Sequence, residues 1–118
     1  MITTIKAQRV YDDVKMDPNT DFILVDRIWP RGITKERLKG VMWIKDLAPS
    51  NELRKWFSHD ASKWNEFKDR YYLEIGNTQS FMDIIATAKQ KNIVLLYASK
   101  ERNFNNAMAL KEFIERNL

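Results

Sequence analysis

Residues 93–97 read Ile-Val-Leu-Leu-Tyr, a run with no polar interruption. A strand with one wet face alternates apolar and polar residues, so an unbroken apolar run of this length calls for burial on both faces. That is the position of a central strand in a parallel sheet. Parallel strands cannot be joined by tight hairpins and need crossovers of a dozen residues or more, usually helical. The residues upstream supply them. Trp64, Phe67 and Tyr71 recur at helical spacing on a segment from Asp60 or Ser62 to about Ile75, closed by Gly76-Asn77. Phe81, Ile84, Ile85 and Ala88 mark a second helix within Thr78–Lys91, and Ala107, Leu110, Phe113, Ile114 and Leu118 point inward from a last helix over about Asn105–Asn117.

The N-terminal half is more broken. Ile2–Arg9 mixes β-branched and polar residues as a first strand, and Asp17-Pro18-Asn19 turns the chain into a second, Phe22–Asp26. Thr34 can cap a short helix through Leu38 that Gly40 ends, Val41–Leu47 most resembles a short strand, and Ser50 starts a helix reaching about Phe57. The order β-β-α-β-α-α-α-β-α predicts a small single-domain α/β sandwich, residues 1–118, with a mostly parallel central sheet flanked by helices.

Composition narrows the function classes. The 118 residues are 44% hydrophobic and 31% charged, as in an ordinary globular domain. There is no cysteine, which excludes disulfides, thiolate catalysis and Cys-based metal sites. No signal peptide and no membrane-length apolar run is present, so a cytoplasmic monomer or small homo-oligomer is expected, with no membrane partner. The +4 net charge has one source. Between Asp26 and His59 stand eight basic residues (Arg27, Arg31, Lys35, Arg37, Lys39, Lys45, Arg54, Lys55) against four acidic ones (Asp26, Glu36, Asp46, Glu52), together with three of the four tryptophans.

The segment Val25-Asp26-Arg27-Ile28-Trp29-Pro30-Arg31-Gly32 concentrates this character at a strand end. Arginine presents a planar, permanently charged donor fork suited to carboxylates and phosphates. In open α/β sheets ligands bind beyond the carboxyl ends of the strands. Two polar clusters would meet there, one from Asp26-Arg27 and one from Tyr97-Ala98-Ser99-Lys100. Arg27, Arg31, Lys45, Arg54 and Lys100 are the candidate anion ligands, with Trp29 and Tyr97 as the apolar wall. The alternative is that Asp26 pairs with an arginine and Trp29 plugs the edge of the core. Ser50 and Arg54 share a helix face at i and i+4, where Ser50 could offer an anion site or simply cap the helix. Asn105 could likewise cap the final helix or bond a ligand.

His59 is the only histidine, and with Asp26 it is the candidate for proton transfer; a structural histidine is the competing reading. The sequence groups no carboxylates near it for a metal, and no cofactor motif is present, neither a Walker loop nor G-x-G-x-x-G. Ser99 lacks the G-x-S-x-G context of a hydrolase nucleophile. The aromatics Trp56, Phe57, Trp64, Phe67, Tyr71 and Tyr72 are assigned mostly to the core. These residues predict a protein that binds a small phosphate- or carboxylate-bearing molecule, with an enzymatic role left open. The alternatives are a nucleic-acid-binding module, which eight basic against four acidic residues favour less, or a protein-interaction domain presenting tryptophans.

Four segments also resemble a known family. Val25–Gly32, then Trp43-Ile44-Lys45 with Ala48-Pro49-Ser50 and Leu53–His59, then Trp64 with Phe67 and Tyr71, and finally Leu95–Lys100 with Asn105-Asn106-Ala107, are similar to the YeaO-like branch of the domain-of-unknown-function 488 family. The resemblance implies a small α/β fold and a bacterial cytoplasmic context, and supplies no reaction. Wider relatives commonly carry Cys and His around the loop after the last strand. This chain has Tyr97 and Asn105-Asn106 there, so thiol or metal chemistry suggested for those relatives does not transfer.

Overall fold

Four parallel strands form one sheet in the order β1-β4-β2-β3, where β1 is Ile5–Arg9, β2 Thr20–Leu24, β3 Met42–Trp43 and β4 Asn92–Tyr97. The computed structural model describes residues 3–118; Ile2, predicted to open the first strand, lies outside the described residues. β4 pairs with β1 on one side (Ala7 opposite Leu95) and with β2 on the other (Ile23 opposite Leu95), and residues 93–97 are all buried. The unbroken apolar run is thus an inner parallel strand, as its composition requires.

Side chains alternate across the sheet and divide the core in two. Ile5, Ile23, Val25, Ile93, Leu95 and Tyr97 face a layer of four helices: α1 (Asn51–Phe57), α2 (Trp64–Ile75), α3 (Gln79–Ala88) and α4 (Asn106–Arg116). Phe22, Leu24, Val94 and Leu96 face the other way, onto Val10, Ile33 and Leu38. Those three come from connecting segments, so this second face is roofed by loops.

The helix starts follow from their caps. The side chains of Ser50, Thr78 and Asn105 each accept a bond from the backbone N–H three residues on, Leu53, Phe81 and Met108 respectively. Asp60 caps a single 3-10 turn, Ala61–Lys63, that leads into α2. Phe67, Tyr71 and Ile75 are the buried stripe of α2, with Trp64 partly buried against the same core.

Two predicted elements take another form. The helix expected at Thr34–Leu38 is a chain of tight turns: Thr34 Oγ1 does accept from Arg37 N–H, but Leu38 and Lys39 bond only three residues back, and Gly40 at φ +88° ends the segment. Five residues are too few to offset helix nucleation without a packed face. The strand expected over Val41–Leu47 stops at Trp43, and Lys45–Leu47 forms a 3-10 turn. That turn drops Leu47 into the helix-side core, where its carbonyl accepts the buried hydroxyl of Tyr71. Leu118, predicted to face inward, lies past the end of α4 and is exposed.

Candidate functional site

Because all four strands are parallel, their carboxyl ends share one edge, and the chain after each contributes to a cavity of about 430 Å³ there. Tyr11 follows β1, Asp26 to Arg31 follow β2, Ala48-Pro49 follow β3 and its 3-10 turn, and Ala98-Ser99 follow β4. From the helix layer come Arg54 and Phe57 on α1, His59 beyond it, Phe67 on α2 and Asn106 at the start of α4.

Asp26 is the acidic group of this cavity, and it is held from three directions. Ala98 N–H donates to Oδ2 at 2.8 Å, Asn106 Nδ2 donates to Oδ1 at 3.1 Å, and the Trp43 indole N–H donates to its main-chain carbonyl at 2.7 Å. Burial pushes the Asp26 carboxyl above the usual aspartate range; the bonds from Asn106 and Ala98 and the charges of Arg54 and His59 pull it partly back.

The three arginines are held differently. Arg27 donates from Nε to the Pro49 carbonyl and from Nη2 to the Ala48 carbonyl, both at 3.2 Å, so its fork is pinned while Nη1 has no partner among the described residues. Arg54 makes only a long contact to Asn51 Oδ1 at 3.4 Å, and Arg31 is exposed on the rim, where its carbonyl accepts the Tyr11 hydroxyl. None of the three is in a salt bridge among the described residues. Trp29 commits its N–H to the Ile33 carbonyl at 2.7 Å and meets Trp43 edge-on, ring centroids 5.2 Å apart.

His59 stands in left-handed backbone (φ 55°) directly after Ser58 (φ 46°), which ends α1. Its Nδ1 lies 3.1 Å from the Phe104 carbonyl, an acceptor only, so Nδ1 carries the proton. In the neutral ring, Nε2 is then the acceptor for the Ser99 hydroxyl at 3.3 Å. The bond to Phe104 therefore fixes the tautomer. The only carboxyl of the cavity, on Asp26, bonds Ala98 and Asn106 instead.

Of the residues singled out from sequence, Asp26, Arg27, Trp29, Arg31, Arg54 and His59 come together around this cavity. Five others do not line it. Lys45 sits over the Trp43 ring, 4.2 Å from its centroid. Ser50 caps α1 and also donates to Glu74 Oε2 at 2.6 Å. Tyr97 points into the helix-side core, on the opposite side from the position its neighbour Ala98 takes. Lys100 is exposed on the following loop. Asn105, fully buried, has both ends of its amide committed, Oδ1 to Met108 N–H and Nδ2 to the Glu101 carbonyl.

The cavity also uses residues the sequence did not mark as ligands. Phe57 and Phe67 are core side chains whose edges reach the cavity; nothing in a helical stripe tells which member ends at an opening. Ser99 and Asn106 carry the only available signal, proximity to a strand end and to a helix start. Among the described residues no group of three or more His, Asp or Glu is placed to hold a metal ion, and no helix is long and apolar enough to cross a membrane.

Comparison with known proteins places the chain in a family. The uncharacterised protein YeaO of Escherichia coli strain K12 is 35% identical over 111 residues, covering 93% of this chain and 96% of YeaO. The uncharacterised protein Rv3073c of Mycobacterium tuberculosis strain H37Rv is 31% identical over 112 residues, 95% and 94% of the two chains. No solved structure matches. The profile of the inactive DUF488-N3 subclade matches residues 4–118, and the chain belongs to the DUF488 family.

Proposed function

We propose that this protein binds a small phosphate- or carboxylate-bearing molecule in the cavity at the carboxyl edge of its sheet, with Arg27, Arg31 and Arg54 as the anion ligands. One observation carries the reading. Three arginines from two separated segments line one concavity, none is in a salt bridge among the described residues, and the only carboxylate residue lining it with them is Asp26. Three arginines facing a single carboxyl leave a net positive field in the cavity, and an anionic ligand offsets it. The size falls within the range of small-molecule sites, and Trp29, Phe57, Pro30 and Pro49 supply an apolar wall. The bacterial relatives and the absence of a membrane-length helix among the described residues favour action in the cytoplasm.

Binding is favoured over turnover. The His59–Ser99 contact has the form of a base and a nucleophile, but in a triad a carboxyl also supports the base. Ser99 Oγ is itself held, accepting Glu101 N–H at 3.0 Å, and the cavity's carboxyl on Asp26 bonds Ala98 and Asn106 and does not support His59 as a base. The family description as an inactive subclade points the same way.

Thermal unfolding with pyrophosphate, phenyl phosphate and benzoate at low salt tests the reading. Saturation at 100 times Kd stabilises a fold by about 2.7 kcal/mol, a shift of several degrees for a domain of this size. The stabilisation is expected to fade as salt rises and to disappear in Arg31→Ala/Arg54→Ala. Absence of any shift at millimolar anion would overturn it.

A further inference from the structure

Resting on that reading, we infer the chemistry of the ligand's other end: it is a flat ring bearing N–H donors, joined to the anionic group. The cavity holds two kinds of polar group. Arg27, Arg31 and Arg54 are its arginine donors, whereas Asp26 and Asn106 carry oxygen acceptors with unused capacity. Each Asp26 oxygen takes one protein bond, from Ala98 N–H or from Asn106 Nδ2, and keeps a second acceptor site. Asn106 uses Nδ2 for both Asp26 and the Val25 carbonyl at 2.9 Å, and its Oδ1 accepts nothing among the described residues.

That arrangement constrains what can fill the space. Any molecule occupying the cavity strips the remaining water from Asp26. A purely apolar body against it leaves a desolvated carboxylate under-bonded, which is more costly than leaving the cavity wet. A ligand that donates N–H bonds to Asp26 and Asn106 Oδ1 avoids that cost, and paired donors on a ring edge match neighbouring carboxylate and amide oxygens. Planarity follows from the walls. Trp29 has its N–H committed to Ile33, so it offers ring surface only, and Pro30, Pro49 and Phe57 add flat apolar contact. An anion carried on such a ring has two sources, a nucleoside monophosphate with a phosphate tail or a heteroaromatic carboxylate.

Calorimetric titration of the full chain at pH 7 and low salt tests this with five probes. Guanosine 5′-monophosphate carries paired donors on one ring edge (N1–H and N2–H2), cytidine 5′-monophosphate an exocyclic amino donor and indole-3-carboxylate one ring N–H; phenyl phosphate and benzoate carry a phosphate monoester and a carboxylate on rings with no N–H. At least one donor-bearing probe is expected to bind tenfold or more tighter than its donor-free counterpart, and its tail identifies the source. Asp26→Asn is expected to erase that advantage without weakening phenyl phosphate or benzoate, because it removes a negative charge from the anion's cavity. Equal binding of donor-bearing and donor-free anions would overturn the inference and leave the anion site standing. No binding by any of the five would overturn both. Should Asp26→Asn fail to fold, the wild-type comparison decides alone.

Discussion

The two faces of the sheet are built on different principles. On one, four helices deliver Phe57, Phe67, Tyr71, Phe81 and Phe113 onto Ile23, Leu95 and Tyr97, and aromatic rings contact one another in series: Phe57 stacks on Phe67 at 4.1 Å between centroids, and Tyr71 meets Phe113 edge-on at 5.3 Å. On the other, single residues from turns, Val10, Ile33 and Leu38, cover Phe22, Leu24 and Leu96. The first face is a packed wall and the second a stitched cover, its loops held by bonds such as Arg37 Nη2 to the Val10 and Asp12 carbonyls at 3.2 Å. The cavity opens where wall and cover meet. Its helix-side groups are placed by packing and its loop-side groups by backbone hydrogen bonds, an arrangement that gives rigidity to Phe57 and Asn106 and leaves Arg31 free at the rim.

The difference is sharpest in core truncations. Phe113→Ala removes a ring that is 1% exposed and enclosed by other rings, leaving a hole the neighbouring helices cannot close; a loss of about 3–5 kcal/mol is expected. Leu38→Ala, equally buried but under a loop, is expected at the low end for its type, about 2 kcal/mol, because turns can settle into the space. Urea unfolding of both variants measures this. Equal losses would mean that the loop cover is as rigid as the helical wall.

The arginines extend the comparison to the cavity itself. Arg27 is tied to the carbonyls of Ala48 and Pro49, two buried residues, whereas Arg54 has a single long contact to Asn51. Arg27→Ala leaves those carbonyls without their charged donor and is expected to cost about 1.5–3 kcal/mol of stability. Arg54→Ala, at an exposed position, is expected to stay within about 0.5 kcal/mol of wild type. Both are expected to weaken anion binding, so a plot of affinity against stability separates the scaffold's arginine from the one that serves the ligand alone. A fold indifferent to Arg27→Ala would remove the distinction.

What could be read from the sequence divides along the same line. The helix-side wall is written in periodic patterns: Trp64, Phe67 and Tyr71, or Phe81, Ile84 and Ala88, announce a face because 3.6-residue spacing has few other causes. The inner strand is legible for the same reason. The loop-side cover carries no period, so Thr34–Leu38 reads as helical and Val41–Leu47 as extended from sequence. The cavity was legible where a strand end carries unusual charge, at Asp26, Arg27 and Arg31, and at His59 because it is the chain's single histidine. It was not legible at Tyr97, because Tyr97 and its neighbour Ala98 take opposite faces and only the register decides which, nor at Lys100, which lies on the loop past the strand end. Ser50 and Asn105 stand where capping alone accounts for a small polar residue.

The finest distinction between wall and cover lies in Asp26, which is anchored to both through Asn106 on α4 and Trp43 on β3. Burial raises its carboxyl above the unfolded value, so the folded state holds that proton more tightly than the unfolded chain does. The contribution is therefore fully present below the unfolded pKa and is lost as pH rises through the folded one. Asp12, Asp60, Glu101 and Glu112 are shifted downward and act in the opposite sense, which would mask Asp26 in the wild type alone. In a comparison with Asp26→Asn those four cancel. The wild type is expected to gain on the variant as pH falls from 7 into the acidic range, whatever fixed offset the lost Asn106 bond adds. Arg54 and His59 hold the Asp26 carboxyl down by their charge, so the same comparison in an Arg54→Ala background is expected to start its change at higher pH. A difference between wild type and Asp26→Asn that is flat with pH in both backgrounds would show that Asp26 is solvated as an ordinary surface carboxylate, and that the cavity is wet to its floor.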